Sequence, residues 1–311
     1  MSSRDRALRI TVDYPVSEPG YDPELLTPDG MREVAQAAER AGLDAIAFTD
    51  HPAPSQRWLD AGGHEALDVP SALSFCAAVT ERLRLMSYLL VLPYRNPFLT
   101  AKSVATVDVL SGGRMTLVAG GGYMKSEFRA LGVPFEQRNE LFDEALEVLR
   151  GVWSHNPYEY KGRHFQAEGV AALPRPVQKP GGPPIWIGGN SARARRRAAE
   201  HQGWSPLIID ETLARTTRTP ALSSVGRLAA AVAELRELAA AAQGVDTRVD
   251  VQVQTPYSRW SPGAGSAEEH RDHLGRLAEA GATWFVLRPP GSGVQAAVES
   301  LHAYGDLVGG L

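Results

Sequence analysis

The residues best suited to chemistry gather where short apolar runs end. Asp50-His51 closes "DAIAFTD", and a histidine there can donate a hydrogen bond to a reacting atom or act as a general acid. The alternative is a hydrogen-bonded loop histidine. Tyr123 follows the glycines of "RMTLVAGGGYMKSEFRALGVPF" and can donate a proton or stack on a planar ligand; a rim position is the bland reading. That glycine run is neither familiar phosphate motif. Lys125-Ser126 is present, but Met124 stands where a P-loop needs its second glycine, and Lys125 takes the third glycine's place in G-x-G-x-x-G.

"IWIGGNSARARRR" is the stronger phosphate candidate. Gly188 and Gly189 let the backbone approach an anion, and Asn190 or Ser191 can cap a helix whose amides point at it. A tight turn plus a cap explains the same residues equally well. Arg193, Arg195, Arg196 and Arg197 point around that helix, so most are expected to be solvated and one or two to meet an anionic tail. Ser87 and Tyr88 interrupt "LMSYLLVL", a polar break that suggests a bulge beside a ligand. Arg259 and Trp260, with Trp58, are candidate pocket walls. His270 and His273 lie one turn apart on a charged helix, are read as solvent-facing, and support no metal site. Gly-x-Ser-x-Gly is absent, so no nucleophile elbow is expected.

These residues need a frame, and 311 residues can bury a large core. Strand-like runs at 8–13, 44–50, 84–92, 114–119, 183–189, 203–208, 248–254 and 283–288 alternate with helical patterns at 29–42, 68–83, 96–113, 138–153, 191–203, 223–244, 266–281 and 293–309. Eight βα units predict a parallel sheet closed into a (β/α)8 TIM barrel, one domain over 1–311 with insertions in its loops. The barrel puts the candidates above at the C-terminal strand ends. The Pro/Gly-rich segment 155–184 lies before a strand, so a structural place on the opposite rim or the outside is expected.

A net charge of −4 gives no reason to expect nucleic acid. No run could span a bilayer, "MSSRDRALRITVDYP" lacks a leader's apolar stretch, and one cysteine, Cys76, rules out an internal disulfide. A cytoplasmic protein acting on a small molecule is the expectation.

In order along the chain, "GLDAIAFTDH", "GGH" ending at His64, "LVLPYRNPFLTAKSVATVDVLSGGRMTLVAGGGY", "EFRALGVPF", "YKGRHF" and "PRPVQKPGGPPIWIGG" resemble the luciferase-like monooxygenase superfamily, in particular its short F420-dependent branch. The resemblance covers about Arg9 to Gly203. It implies a barrel with a tricyclic ring in its mouth and a homodimer. It also implies a non-proline cis peptide near Ser87–Leu89, with Ser87, Tyr88 and Leu89 behind the ring. By the same resemblance Asp50 and His51 lie against the ring, while Gly188, Gly189 and Asn190 hold the cofactor's phosphate. Gly120, Gly121 and Gly122 would then leave the mouth open beside the ring. Some relatives of this kind place a Glu proton donor where Tyr123 stands, which speaks against sugar-phosphate oxidation here. The implied activity is hydride transfer between reduced F420 and a small organic acceptor, with His51 or Tyr123 as proton donor and Trp58, His64, Arg259 and Trp260 near the substrate. The alternatives are an FMN-dependent two-component monooxygenase and a non-catalytic flavin-binding protein.

Overall fold

The computed structural model describes residues 7–263 and 265–309. Part of the stretch read as lacking a leader, and one residue shortly after Arg259 and Trp260, lie outside the described residues. Nine parallel-paired strands make the barrel: β1 (Arg9–Asp13), β2 (Ala45–Phe48), β3 (Arg84–Ser87), β4 (Leu90–Val91), β5 (Met115–Gly120), β8 (Ile185–Gly188), β9 (Gly203–Ser205), β10 (Asp250–Val253) and β11 (Trp284–Leu287). Between β5 and β8 an antiparallel hairpin, β6 (Tyr158–Lys161) and β7 (Gln166–Val170), stands outside. The order β3-β2-β1-β11-β10-β9-β8-β5-β4, with β3 also pairing β5, closes the ring. β3 and β4 are one barrel strand in two pieces, so the eight expected strands are all present. The break carries a cis peptide between Tyr88 and Leu89, at the polar interruption in the sequence.

Local chemistry starts the helices where the pattern requires. Thr27 and Asn96 each accept a hydrogen bond from a first-turn amide, and each is followed by proline at the first helical position, where no N–H is needed. Asp68 accepts the Ser71 amide at the start of Val69–Val79, with Pro70 as the second helical residue. The strands bury side chains on both faces. Outward residues such as Ile10, Val12, Ile46 and Leu117 join the helices in the main core, while Ala45, Ala47, Met86, Val118, Trp186 and Trp284 fill the barrel interior. Beside them runs a polar chain in which Ser205 Oγ donates to Gln252 Oε1 and Gln252 Nε2 to Thr11 Oγ1.

The segment 155–184 lies outside the barrel, as expected, but it contains the hairpin that its composition did not signal. Glu144, on the helix Arg138–Ser154, accepts the amides of Arg163, His164 and Phe165 in the hairpin turn. Asp108 accepts those of Val177 and Gln178. His270 and His273 correct the sequence reading: both are buried. His270 Nε2 lies 3.0 Å from the Tyr304 hydroxyl and His273 Nε2 3.0 Å from Thr255 Oγ1. Their helix, Ala267–Glu279, turns them inward against Phe285. Among the described residues no helix is long and apolar enough to cross a membrane.

Candidate active site

The C-terminal end of β2 delivers Asp50 and His51 to the mouth, and the two do different work. Asp50 is buried and faces sideways. Its Oδ2 accepts from the Val91 amide at 2.9 Å and from Arg95 Nη1 at 3.0 Å, and its Oδ1 accepts from Arg95 Nη2 at 3.0 Å. Burial pushes this carboxyl up, and the Arg95 guanidinium and Val91 amide pull it back. A bidentate pair of this kind fixes geometry, here the return of the chain into β4 just after the cis peptide. Asp50 therefore positions the strand that would back a ligand.

His51 points the other way. Its Nδ1 lies 3.2 Å from Glu127 Oε2, and Glu127 is wholly buried at the start of the helix Lys125–Ala130. The same carboxylate accepts from the Tyr94 hydroxyl at 2.9 Å and from the Ala53 amide at 3.1 Å. With donors converging on Glu127, His51 Nδ1 carries the hydrogen and Nε2 is left for a partner. Around the imidazole stand Trp58 (ring centroids 4.7 Å apart), His64 (5.2 Å) and Tyr123 (6.2 Å). Burial depresses His64 to about 4, so it is a neutral wall near neutral pH. Burial, helped by the charge of Glu127, pushes the Tyr123 phenol up to about 12, which keeps it protonated.

The glycines have three uses. A β-carbon on Gly120 would lie 2.2 Å from Leu89 Cδ1, and one on Gly188 2.3 Å from Leu89 Cδ2. Leu89 thus lies across two strands at positions where only glycine leaves room. Gly122 has φ +71° and packs against Val91 and Phe128. Gly121 alone faces open space. The expectation that all three glycines open the mouth is corrected: one makes room for Leu89, one makes a turn, one is open. Leu89 over its two glycines is a flat apolar floor, and the open side of Gly121 lies beside it. This arrangement fits a planar ring.

The other predicted residues divide. Ser87 is buried and its hydroxyl donates to Val118 O while accepting from Val118 N, bridging β3 to β5. The Tyr88 hydroxyl donates to Gln254 Oε1. Asn190 is occupied by its own loop: its amide donates to Thr219 Oγ1, its side-chain nitrogen to Leu207 O and Pro220 O, and its Oδ1 accepts from Leu207 N. The Gly189 amide (φ +103°) donates to Ser205 O. Arg259 is exposed and paired with Glu18 at 3.0 Å, and Trp260 turns to Tyr304 and His270 in the helical layer, apart from the His51 cluster. Sequence reasoning passed over Glu127, Tyr94 and Arg95, although "GGGYMKSE" places a carboxylate one helical turn beyond Tyr123.

A family model for luciferase-like monooxygenases matches residues 11–259. The chain belongs to that family. This luciferase-like protein is 33% identical over 184 residues to the FMNH2-dependent dimethylsulfone monooxygenase of Pseudomonas putida, over 57% of this chain and 47% of that protein. It therefore spans about half the length of that relative. It is 27% identical over 262 residues to the F420-dependent glucose-6-phosphate dehydrogenase of Microbacterium testaceum, over 79% of this chain and 73% of that one. Among solved structures, the coenzyme F420-dependent tetrahydromethanopterin reductase of Methanopyrus kandleri superposes with a TM-score of 0.73 at 17% identity, over 97% of this chain and 98% of that one. That last likeness is one of fold.

Proposed function

We propose that this luciferase-like protein is an oxidoreductase that binds the deazaflavin F420 across the barrel mouth and exchanges a hydride with a small organic substrate bearing an activated C=C, C=N or C=O. The observation that carries the reading is the His51–Glu127 pair: a buried carboxylate fixes one imidazole nitrogen and leaves the other to hold a proton among Trp58, His64 and Tyr123. A bound deazaflavin supplies a carbon that gives or takes a hydride and reacts poorly with oxygen. The chain supplies the rest. Leu89 supports one face of the ring, His51 Nε2 takes a proton from the substrate in oxidation or, loaded with a proton from solvent, gives it to the substrate in reduction, and Trp58, His64 and Tyr123 enclose that nitrogen. The relative named for F420 spans more of this chain than the one named for FMNH2, which supports the deazaflavin.

A second reading, an FMN-dependent monooxygenase fed by a separate reductase, is favoured by the higher identity of the dimethylsulfone monooxygenase. Anaerobic turnover of reduced F420 against a panel of unsaturated acceptors tests the first. Oxygen consumption with supplied reduced FMN, and no anaerobic turnover, would replace it with the second.

A further inference from the structure

The inward face of the barrel mouth is apolar on one side and polar on the other. Leu89 fills the apolar side over Gly120 and Gly188. The polar side is built by β1 and β11. Successive strand residues alternate faces, and Thr11 and Trp284 both look into the barrel. The parallel register sets Arg9 beside Trp284 and Thr11 beside Val286, and continuing it by two residues brings Asp13 beside Arg288. Both border the site. Beyond the burial that depresses His64, Arg288 opposes its charging. Burial pushes up the phenol of Tyr88, the neighbour of Leu89; Asp13 adds to that and Arg288 opposes it.

The pair is buried and incompletely bonded. Asp13 is 4% exposed, and its Oδ2 accepts from the Ser17 hydroxyl at 2.9 Å and lies 3.2 Å from Arg288 Nε. Among the described residues its Oδ1 has no hydrogen-bond partner, and Arg288 Nε lacks the alignment for one. Arg288 Nη2 donates to Ser17 O at 2.8 Å and to Ser17 Oγ at 3.1 Å, while Nη1 has no partner among the described residues. A lone acceptor and a free donor thus stand side by side. Burial pushes the Asp13 carboxyl up, and Arg288 and the Ser17 hydroxyl pull it back; a further donor at Oδ1 would act in the same sense. A buried polar group without a partner costs free energy that a ligand can return.

The charges restrict the ligand. An anion at Arg288 would meet Asp13 and also Glu18, whose Oε1 lies 3.9 Å from Nη2. A cation at Asp13 would meet the guanidinium. A neutral group with a donor next to an acceptor suits both residues.

We infer that Asp13 and Arg288 anchor the substrate, and that the group they hold is the edge of an amide or lactam, its N–H donating to Asp13 Oδ1 and its carbonyl accepting from Arg288. This inference rests on the oxidoreductase reading above and narrows its acceptor to an activated C=C or C=N conjugated with an amide. β1 lies between β11 and β2, the strand that carries His51, so the strands of Arg288 and His51 are roughly 10 Å apart and a small ring held by the anchor reaches the imidazole.

The test titrates the purified protein, with and without saturating F420, with the unsaturated lactam dihydropyridin-2-one, its N-methyl derivative, cyclohexenone and crotonate, and reads affinities by ligand-detected NMR. The lactam is expected to bind about tenfold tighter than the N-methyl compound and the enone, the weight of one hydrogen bond to a charged group. Its amide proton, followed on a nitrogen-15-labelled sample, should move downfield on binding. Asp13→Leu, checked for its melting temperature, should lose the preference. Equal affinities for the lactam, its N-methyl derivative and the enone overturn the inference, as does a full preference retained in Asp13→Leu. Crotonate bound tightest assigns Arg288 to a carboxylate and overturns it too. Where the variant melts early, the wild-type probe series and the amide-proton shift decide. Protein that binds F420 and shows no lactam preference overturns the anchor alone. Protein that binds no F420 and keeps the preference overturns the cofactor reading and leaves the anchor standing.

Discussion

His51 and Glu127 are 76 residues apart in the chain and 3.2 Å apart in the fold, one at the end of β2 and the other on the helix after β5. Their contact decides which imidazole nitrogen faces the mouth, and the closed barrel is what brings the two strand ends together. The carboxylate also holds Tyr94 and the Ala53 amide, so it ties three loops to one point.

Glu127→Gln keeps the shape and removes the charge. Turnover is expected to fall by about 10²-fold, within the range of general acid–base contributions, with cofactor affinity changed less than threefold by about the same measure of a positioning role. Glu127→Ala strands the buried Tyr94 hydroxyl, worth about 1–3 kcal/mol, and leaves the part-buried Ala53 amide without its carboxylate. Steady-state kinetics and denaturant melts on both variants separate the two effects.

Tyr123→Phe tests the competing proton donor. A phenol pushed up to about 12 is a weak acid at neutral pH, so this variant should keep turnover within about threefold of wild type. His51→Ala should lose about 10²-fold or more. The opposite ranking would move the proton to Tyr123.

Gly120→Ala sets a methyl group 2.2 Å from Leu89 Cδ1. The expected cost is about 1–3 kcal/mol of stability from overpacking, together with weaker cofactor binding as Leu89 is displaced. Adding Leu89→Ala should restore part of the stability and none of the affinity. A double-mutant cycle followed by thermal melts and titration reads both.

Arg95→Gln leaves the Asp50 carboxylate buried with the Val91 amide as its remaining strong partner. Loss of one member of such a pair costs about 3–5 kcal/mol, and denaturant unfolding measures it.

Stability should fall in mild acid. His270 and His273 are held to about 4 by burial, against an ordinary 6.5. Between those values the unfolded chain binds more protons than the folded one, so stability present above pH 6.5 is lost as pH falls towards 4. Unfolding midpoints at pH 7.5 and 5 should differ, and His270→Gln with His273→Gln should reduce the difference, the rest coming from His64 and His201, which burial also lowers.

The barrel was legible because its signals are local. Apolar runs, Asn-Pro and Thr-Pro caps and stop glycines lie within a few residues of the elements they define, and the polar Ser87–Tyr88 break marked the interruption of the third barrel strand. What escaped depends on distant partners. Glu127 in "MKSEF" looks like one more charged residue on a short helix until His51 and Tyr94 are folded against it. Arg95 in "PYRNP" looks like a turn until Asp50 arrives. His270 and His273 sit among Glu268, Glu269, Arg271 and Asp272, and only Tyr304 and Thr255, on other elements, turn them inward. The hairpin at 158–170 was hidden because its partners lie on a helix 13 to 21 residues away, with Gly162 and Pro157 suggesting irregular chain.

The most direct measurement is a fluorescence titration of the purified protein, stripped of cofactor, with F420 and with FMN under the same conditions. The account predicts tight F420 binding and FMN binding at least tenfold weaker. Tighter binding of FMN would contradict it, and would make His51 and Glu127 part of an oxygen-using site.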